Sequence, residues 1–479
     1  MNKRMVFYII GQILKIEALL LLLPAAVALY SGEGGGAFLI TMALCLAVGL
    51  ALSWKRPQNT VIYAREGFVV VALSWLAMSA FGALPFVISG EIPFYVDAFF
   101  EMVSGFTTTG ASILIDIESM SRGMLFWRSL SHWVGGMGVL VFLMAVLPMA
   151  GDRSMHLMRA EVPGPTVGKL VPKMRDTAKI LYGIYLALTI LEIILLILGG
   201  MPLYDSLIHT FGTAGTGGFS SKAASVAAYG SAYIDGVIGV FMILFGVNFN
   251  LYFLVLLRSF KQIFKNEELR CYLGVIAASV AVITVNIRPL YEGLGQAFRY
   301  AFFQVSSIIT TTGYATADFN LWPELSRTIL VVLMFVGACA GSTGGGMKVA
   351  RIILLYRMAK RGISQLMHPR SVGVVRLEGR PLEEQTLADT GIYFITYMAI
   401  ACATVLLLSV DGFSFETNVT AMAACLNNIG PGLDLVGPVG SYAAFSPFSK
   451  LVLCFNMLAG RLEVFPLLIL LAPSVWKKQ

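Results

Sequence analysis

Long apolar stretches alternate along this chain with short segments that are glycine-rich, polar or basic. Two of the apolar stretches, Ala37 to Trp54 and Gly236 to Leu257, contain no charge. A run of about 18 or more such residues crosses roughly 30 Å of hydrocarbon as a helix. Inside lipid only helices and closed barrels satisfy the backbone, and these runs lack the alternation of barrel strands. The pattern predicts an all-α polytopic membrane protein. The first apolar run follows Lys3 and Arg4 and contains Ala26-Val27-Ala28, a passable signal-peptidase site. Lys15 and Glu17 interrupt it and a second run follows at once, so it reads as a retained helix.

Charge adds topology. Basic clusters fall at Lys3/Arg4, Lys55/Arg56/Arg65, Arg153 through Lys179, Arg258 to Arg270, Lys348 to Arg380 and Lys477/Lys478. Placing every cluster on the cytoplasmic side puts two spans between consecutive clusters, giving about ten transmembrane helices and two cytoplasmic termini. Arg122, Arg128, Arg288 and Arg327 fall on the other side, so the rule acts as a bias. Composition agrees: 57% of residues are hydrophobic, 13% are charged and mean hydropathy is +0.79, against about 25% charged in soluble domains. The net charge of +7 is explained by these loops, and no nucleic-acid partner is expected. The six cysteines lie in or beside apolar segments without metal-ligand spacing, and the four histidines form no metal motif. No nucleophile–base constellation stands out either, so the chain is not expected to be an enzyme.

Within the last four span pairs lies a further segment too short to cross. Asp97 to Gly110 and Tyr300 to Gly313 align without gaps at Ala98/Ala301, Phe99/Phe302, Phe100/Phe303, Ser104/Ser307 and a shared Thr-Thr-Thr-Gly. Asp205 to Gly218 ends Gly-Thr-Gly-Gly, and Thr417 to Gly430 ends Asn-Asn-Ile-Gly. Four copies at roughly one-hundred-residue intervals imply one repeated unit: span, half-helix, glycine turn, span. The repeats divide the chain into an N-terminal two-helix hairpin (1–60) and four pore units (61–152, 153–262, 263–362, 363–479). Irregular backbone at membrane depth is tolerated where it is buried or lines a watery cavity, so four such loops around a pseudo-fourfold axis predict one pore.

A potassium filter replaces the ion's hydration shell with rings of backbone carbonyls, and glycine supplies the unusual dihedrals this needs. Gly110, Gly218, Gly313 and Gly430 are expected to give one residue each to the critical ring. The flanks carry no acidic ring and no arginine or lysine ring, which favours carbonyl coordination of a monovalent cation. The half-helix C-termini add partial negative potential, and Asp97 and Asp205 are expected as caps at the N-termini. In the third unit, five glycines between Gly337 and Gly346 are expected to break the second span, each costing about 1 kcal/mol in a helix interior. The resulting loop is expected beneath the filter as a movable obstruction. Gly341 to Lys348 has the glycines of a phosphate loop but neither the Gly-Lys pairing nor a preceding strand. In the fourth unit Arg461 stands near mid-span, where a charge is costly and functional by default. It is expected to oppose cations, to pin the glycine loop, or to pair with Glu463 or a neighbouring carbonyl. Lys348 lies near the expected cytoplasmic boundary.

Together these residues resemble the Trk/Ktr/HKT superfamily of potassium transporters, and within it the membrane subunits of bacterial Trk systems. The resemblance spans essentially the whole chain. It rests on Ser104-Gly-Phe-Thr-Thr-Thr-Gly-Ala-Ser112, Thr216-Gly-Gly-Phe-Ser220, Thr310-Thr-Thr-Gly-Tyr-Ala-Thr316, Asn427-Asn-Ile-Gly-Pro-Gly432, Gly341-Ser-Thr-Gly-Gly-Gly346 and Gly460-Arg-Leu-Glu463. It implies potassium uptake across a bacterial plasma membrane by a homodimer. By position the filter is Thr108, Thr109, Gly110, Thr216, Gly217, Gly218, Thr311, Thr312, Gly313, Asn428, Ile429 and Gly430. Potassium would be held through Thr109/Gly110, Gly217/Gly218, Thr312/Gly313 and Ile429/Gly430. The gate would comprise Gly337, Gly341, Gly344, Gly345, Gly346, Lys348 and Arg461. No cofactor is expected in this chain. Nucleotide control would come from a cytosolic regulatory subunit resembling TrkA, docking on the basic segment Arg351 to Arg380, where Val372 to Gly379 alternates like a hairpin. An ion-coupled (Na+ or H+) symporter is the alternative, and the departure of Gly-Thr-Gly-Gly from Thr-Thr-Thr-Gly leaves the second quadrant's part in selectivity open.

Overall fold

The computed structural model describes residues 2–59, 62–136, 138, 174–370 and 373–476. The described residues are predominantly helical, and their one sheet is a two-stranded hairpin. Among the described residues, six helices are long and apolar enough to cross a membrane: Lys3–Tyr30, Gly36–Ser53, Arg65–Ser89, Ala178–Leu198, Glu267–Leu290 and Glu384–Asp411. The last four are the first spans of the four units.

The second spans of the last three units do not run unbroken, which is one reason that fewer described helices qualify than the ten apolar stretches suggest. In the second unit Ala232–Phe245 and Phe249–Leu256 are bent by 93°. In the third, Glu324–Val336 and Val349–Met367 are separated by the glycine segment. In the fourth, Pro447–Arg461 stops and Phe465–Leu471 resumes after two positive-φ residues, Glu463 and Val464. The first unit's second span is described over Arg122–Gly136. Its continuation, most of the basic cluster from Arg153, His156, and Lys477/Lys478 lie outside the described residues. The dividing points 60/61 and 152/153 also lie outside them, whereas 262/263 falls within Phe260–Lys265 and 362/363 within Val349–Met367.

The N-terminal hairpin packs Lys3–Leu20 along Gly36–Ser53 and against Ala64–Gly82. A Cβ on Gly11 would lie 2.7 Å from the Gly49 carbonyl oxygen, and one on Gly49 would lie 2.9 Å from that of Gly11. Small residues let these backbones touch, which is how helices associate where lipid is as apolar as leucine. Deeper in, four half-helices, Tyr95–Phe106, Leu203–Gly215, Leu294–Ile309 and Phe415–Leu426, enter between the spans. Their C-terminal halves are buried almost without exception, so the irregular backbone after them is enclosed by protein as membrane depth requires.

Candidate functional site: a ring of four glycine loops and the plug beneath it

Each half-helix ends the same way. Thr108, Thr216, Thr311 and Asn428 adopt left-handed φ values of 54°, 56°, 61° and 57°. The next amide reaches back five residues: Thr109 N to Ser104 O (2.8 Å), Gly217 N to Gly212 O (2.7 Å), Thr312 N to Ser307 O (2.8 Å) and Ile429 N to Ala424 O (2.9 Å). This is a Schellman-type termination, in which the left-handed position usually belongs to glycine. Threonine there costs roughly 1–2 kcal/mol, and the surrounding packing holds it three times. Glycine follows two positions later, with φ of 80°, 79°, 84° and 94° at Gly110, Gly218, Gly313 and Gly430.

These glycines close a ring. A Cβ on Gly110 would run into the carbonyl oxygen of Gly217, one on Gly218 into that of Thr312, and one on Gly313 into that of Ile429. The circle completes at Gly430, whose Cβ would lie 2.7 Å from the Thr109 oxygen and 3.0 Å from that of Gly110. Each unit's glycine thus abuts the carbonyl preceding the next unit's glycine. Glycine is required here twice over, by its dihedral and by its neighbour. The twelve expected filter residues are brought together as one cyclic layer.

Different side chains brace this layer from behind. The hydroxyls of Thr107 and Thr109, and those of Thr310 and Thr312, bond at 2.8 Å. In the fourth unit, Tyr397 donates to Asn427 Oδ1 (2.8 Å), and Asn428 Nδ2 donates to Thr109 Oγ1 (3.0 Å) and Met457 O (2.8 Å). Tyr442 donates to the Gly430 carbonyl, and Tyr314 donates to those of His209 and Phe219. Above the ring opens a cavity lined by the four glycines together with Arg128 and Lys222. Arg128 is 1% exposed and is neutralised by Glu101 at 2.7 Å; that carboxylate also accepts from Ser112 Oγ and the Ile113 amide. Lys222 pairs with Glu118 at 3.3 Å. The mouth therefore carries compensated cations and no basic ring. Asp97 and Asp205 occupy first helical turns, where a carboxylate favours the dipole. They are not caps: the N-cap positions are Phe94 and Pro202. Asp97 pairs with Lys450 at 2.7 Å, and Asp205 accepts from Ser221 Oγ at 2.6 Å.

The glycine segment of the third unit breaks its helix, as five glycines should, and folds against the ring. The Gly345 amide donates to Thr311 Oγ1 at 2.6 Å. A Cβ on Gly344 would lie 2.9 Å from the Thr310 oxygen, and one on Gly345 would strike that of Asn427. Gly337 and Gly346, both at positive φ (72° and 74°), form the neck, where a Cβ on Gly346 would lie 2.7 Å from the Gly337 Cα. Gly341 accepts from the Phe249 amide at 3.0 Å across the bend of the second unit. Lys348 is 2% exposed, and its amine donates to the Gly344 carbonyl within the loop.

Arg461 is the last helical residue before the break in the fourth unit, so its span is interrupted where the charge sits. Its guanidinium donates to Thr343 O at 2.7 Å, to Gly136 O at 2.9 Å and to Gly135 O. It joins the plug to the first unit's second span, using the fan of donors that distinguishes arginine from lysine. Glu463 pairs instead with Arg351 at 2.5 Å, and Arg351 lies 4.1 Å from the Tyr393 ring centroid.

Glu268 went unread in the sequence. Its Oε1 accepts from Ala340 N at 2.6 Å, within the glycine loop, and from Ala350 N at 3.2 Å, in the first turn of the helix that follows it. Its signal was a carboxylate at the start of a span, which capping alone would explain.

The profile described as "TrkH: Cation transport protein" matches residues 34–478. The chain is 38% identical to the Trk system potassium uptake protein TrkH of Salmonella typhimurium, and 37% identical to that of Escherichia coli K12. Both alignments cover 100% of each sequence. It is 33% identical to the Escherichia coli K12 Trk system potassium uptake protein TrkG over 99% of each sequence. The crystal structure of the potassium transporter TrkH from Vibrio parahaemolyticus superposes over 100% of both chains with a TM-score of 0.89 at 34% identity. A glycine ring, a glycine loop that breaks the third unit's second span, and similarity across the full length converge on one assignment: the chain belongs to the TrkH family of cation transport proteins.

Proposed function

We propose that this chain takes up potassium across a bacterial plasma membrane through the glycine-loop ring. The observation that carries this reading is the cyclic contact of Gly110, Gly218, Gly313 and Gly430 with the next unit's carbonyl oxygens. Backbone oxygens brought to one axis at membrane depth can replace a hydration shell, and the half-helix C-termini aimed there add negative potential. The ligands are the carbonyls of Thr109/Gly110, Gly217/Gly218, Thr312/Gly313 and Ile429/Gly430. Relatives named as Trk system potassium uptake proteins support the choice of ion.

The loop Gly337 to Gly346 with Lys348 is the gate, and Arg461 latches it closed. The working unit is a homodimer with both termini cytoplasmic. A cytosolic TrkA-like subunit binds nucleotide and docks on the face formed by Val349–Met367 and the hairpin Arg376–Leu377/Arg380–Pro381. That face supports docking because Tyr356, Ile363, Leu366 and Met367 stand exposed beside Lys360 and Arg370, an apolar patch with a basic rim. Tracer rubidium uptake into liposomes, with potassium or sodium as competitor and with or without that subunit, tests the reading. Competition by potassium and not by sodium is expected; equal competition would sink the filter assignment.

A further inference from the structure

The second quadrant departs from the first and third at two positions. Where the first and third units place Thr107/Thr109 and Thr310/Thr312, whose hydroxyls bond to each other, the second has Gly215 and Gly217. Both glycines abut one residue, His132, from the first unit's second span. A Cβ on Gly217 would lie 2.6 Å from His132 Cε1 and closer still to Cγ and Nδ1. A Cβ on Gly215 would instead strike the His132 main-chain carbonyl. Gly217 does not have a left-handed φ, so its dihedral does not demand glycine; the three nearest atoms to a Cβ there all belong to the imidazole.

We infer that the His132 ring takes the place of the missing filter side chain and is the positioning residue that fixes the second quadrant's carbonyls. The ring is fully buried. Its Nδ1 donates to the Gly105 carbonyl of the first half-helix at 2.8 Å, and its face lies 4.1 Å from the Phe219 ring centroid. A carbonyl only accepts, so the Nδ1–H tautomer is the one held. His132 thereby ties the first half-helix to the second filter strand, whose Gly217 oxygen faces Gly110 in the ring. Without it, Gly215-Thr-Gly-Gly218 has three glycines in four residues and no bracing side chain behind Gly217, and glycine gives backbone the most freedom to reorient. Ion discrimination by carbonyls depends on their number and orientation. The departure from Thr-Thr-Thr-Gly is therefore compensated by a side chain borrowed from the neighbouring unit.

This inference rests on the filter reading, and a double-substitution cycle separates the two. Rubidium uptake with sodium competition is measured in purified, liposome-reconstituted protein, with size exclusion as the folding check. His132→Ala is expected to lower rubidium-over-sodium preference about tenfold, a difference of affinities rather than of amount. His132→Asn, which keeps an N–H near Gly105, is expected to retain most of it. Gly217→Thr alone is expected to lose discrimination or fail to fold, and the pair His132→Ala/Gly217→Thr to recover both. Gly215→Thr is the control: its clash is with main chain, so His132→Ala cannot rescue it. Unchanged preference in His132→Ala, or a pair no better than Gly217→Thr, overturns the role of His132. Gly313→Ser run alongside reports on the filter itself. If it leaves preference intact the filter reading falls; if it loses preference while His132→Ala does not, only this inference falls.

Discussion

The glycine ring and the plug beneath it are adjacent layers built on opposite principles. The ring is made four times by one local rule: a half-helix, a left-handed residue, an amide reaching back five residues, and a glycine two places on. The plug is made once. Its loop comes from the third unit, its arginine from the fourth, the carbonyls that arginine holds from the first and third, and its carboxylate clamp from the start of the third unit's first span. The ring is over-determined, since each glycine is fixed by its own turn and by its neighbour's carbonyl. The plug is held instead by hydrogen bonds to distant elements, among them Cys339 N to Gly246 O, Thr343 N and Oγ1 to Phe245 O, Ala340 N to Glu268 and Gly345 N to Thr311 Oγ1. Interfaces with two discrete arrangements are what switching transitions use. Under the proposed function the repeated layer selects the ion, and the layer assembled once is the one that switches.

Substitutions that strike one layer and spare the other test this contrast. The largest effect is expected from Gly313→Ser, whose Cβ would meet the Ile429 carbonyl at a φ of 84°. Discrimination between rubidium and sodium should collapse with regulation still visible; intact discrimination in competition assays would contradict the ring. Arg461→Ala should come next. Losing a cation hydrogen-bonded to three carbonyls removes interactions worth roughly 1.5–3 kcal/mol each, so basal flux without the cytosolic subunit should rise about tenfold or more. A folded variant with unaltered flux would remove the latch. Shortening Gly341 to Gly346 should raise basal flux while leaving selectivity at the parent value; a tight closed state would contradict the obstruction. Glu268→Gln is the mildest. A neutral amide keeps an acceptor for Ala340 and Ala350 but weakens both bonds, so basal flux should rise about twofold to fivefold, consistent with a loss of up to about 1 kcal/mol. Changed ion preference in that variant would show that the layers are not independent.

How far the sequence reached follows the same division. Gly110 and Gly313 stand in identical Thr-Thr-Thr-Gly strings, and register alone located Gly218 and Gly430. The turn that these strings encode is short-range, so the residues that make it lie side by side. The break at Gly337 to Gly346 was legible for the same reason. The number of uninterrupted spans was not, because apolar composition does not record the 93° bend at Phe245 or the stop at Arg461. The partners of Arg461 lie 118 to 326 residues away and are main-chain carbonyls, which any residue offers. The pairing of Asp97 with Lys450 spans a similar distance.

What the chain determined by itself was therefore its membrane class, its fourfold repetition and the glycines of the ring. Each depends on hydrophobicity, or on backbone conformations reached within a few residues. Only the tertiary structure decided that Glu463 belongs to Arg351, that Glu268 ties the loop to the helix after it, and that the two glycines of the second strand make room for His132. Those choices depend on which surfaces four homologous units present to one another. That is settled by packing around the axis, and no local pattern encodes it.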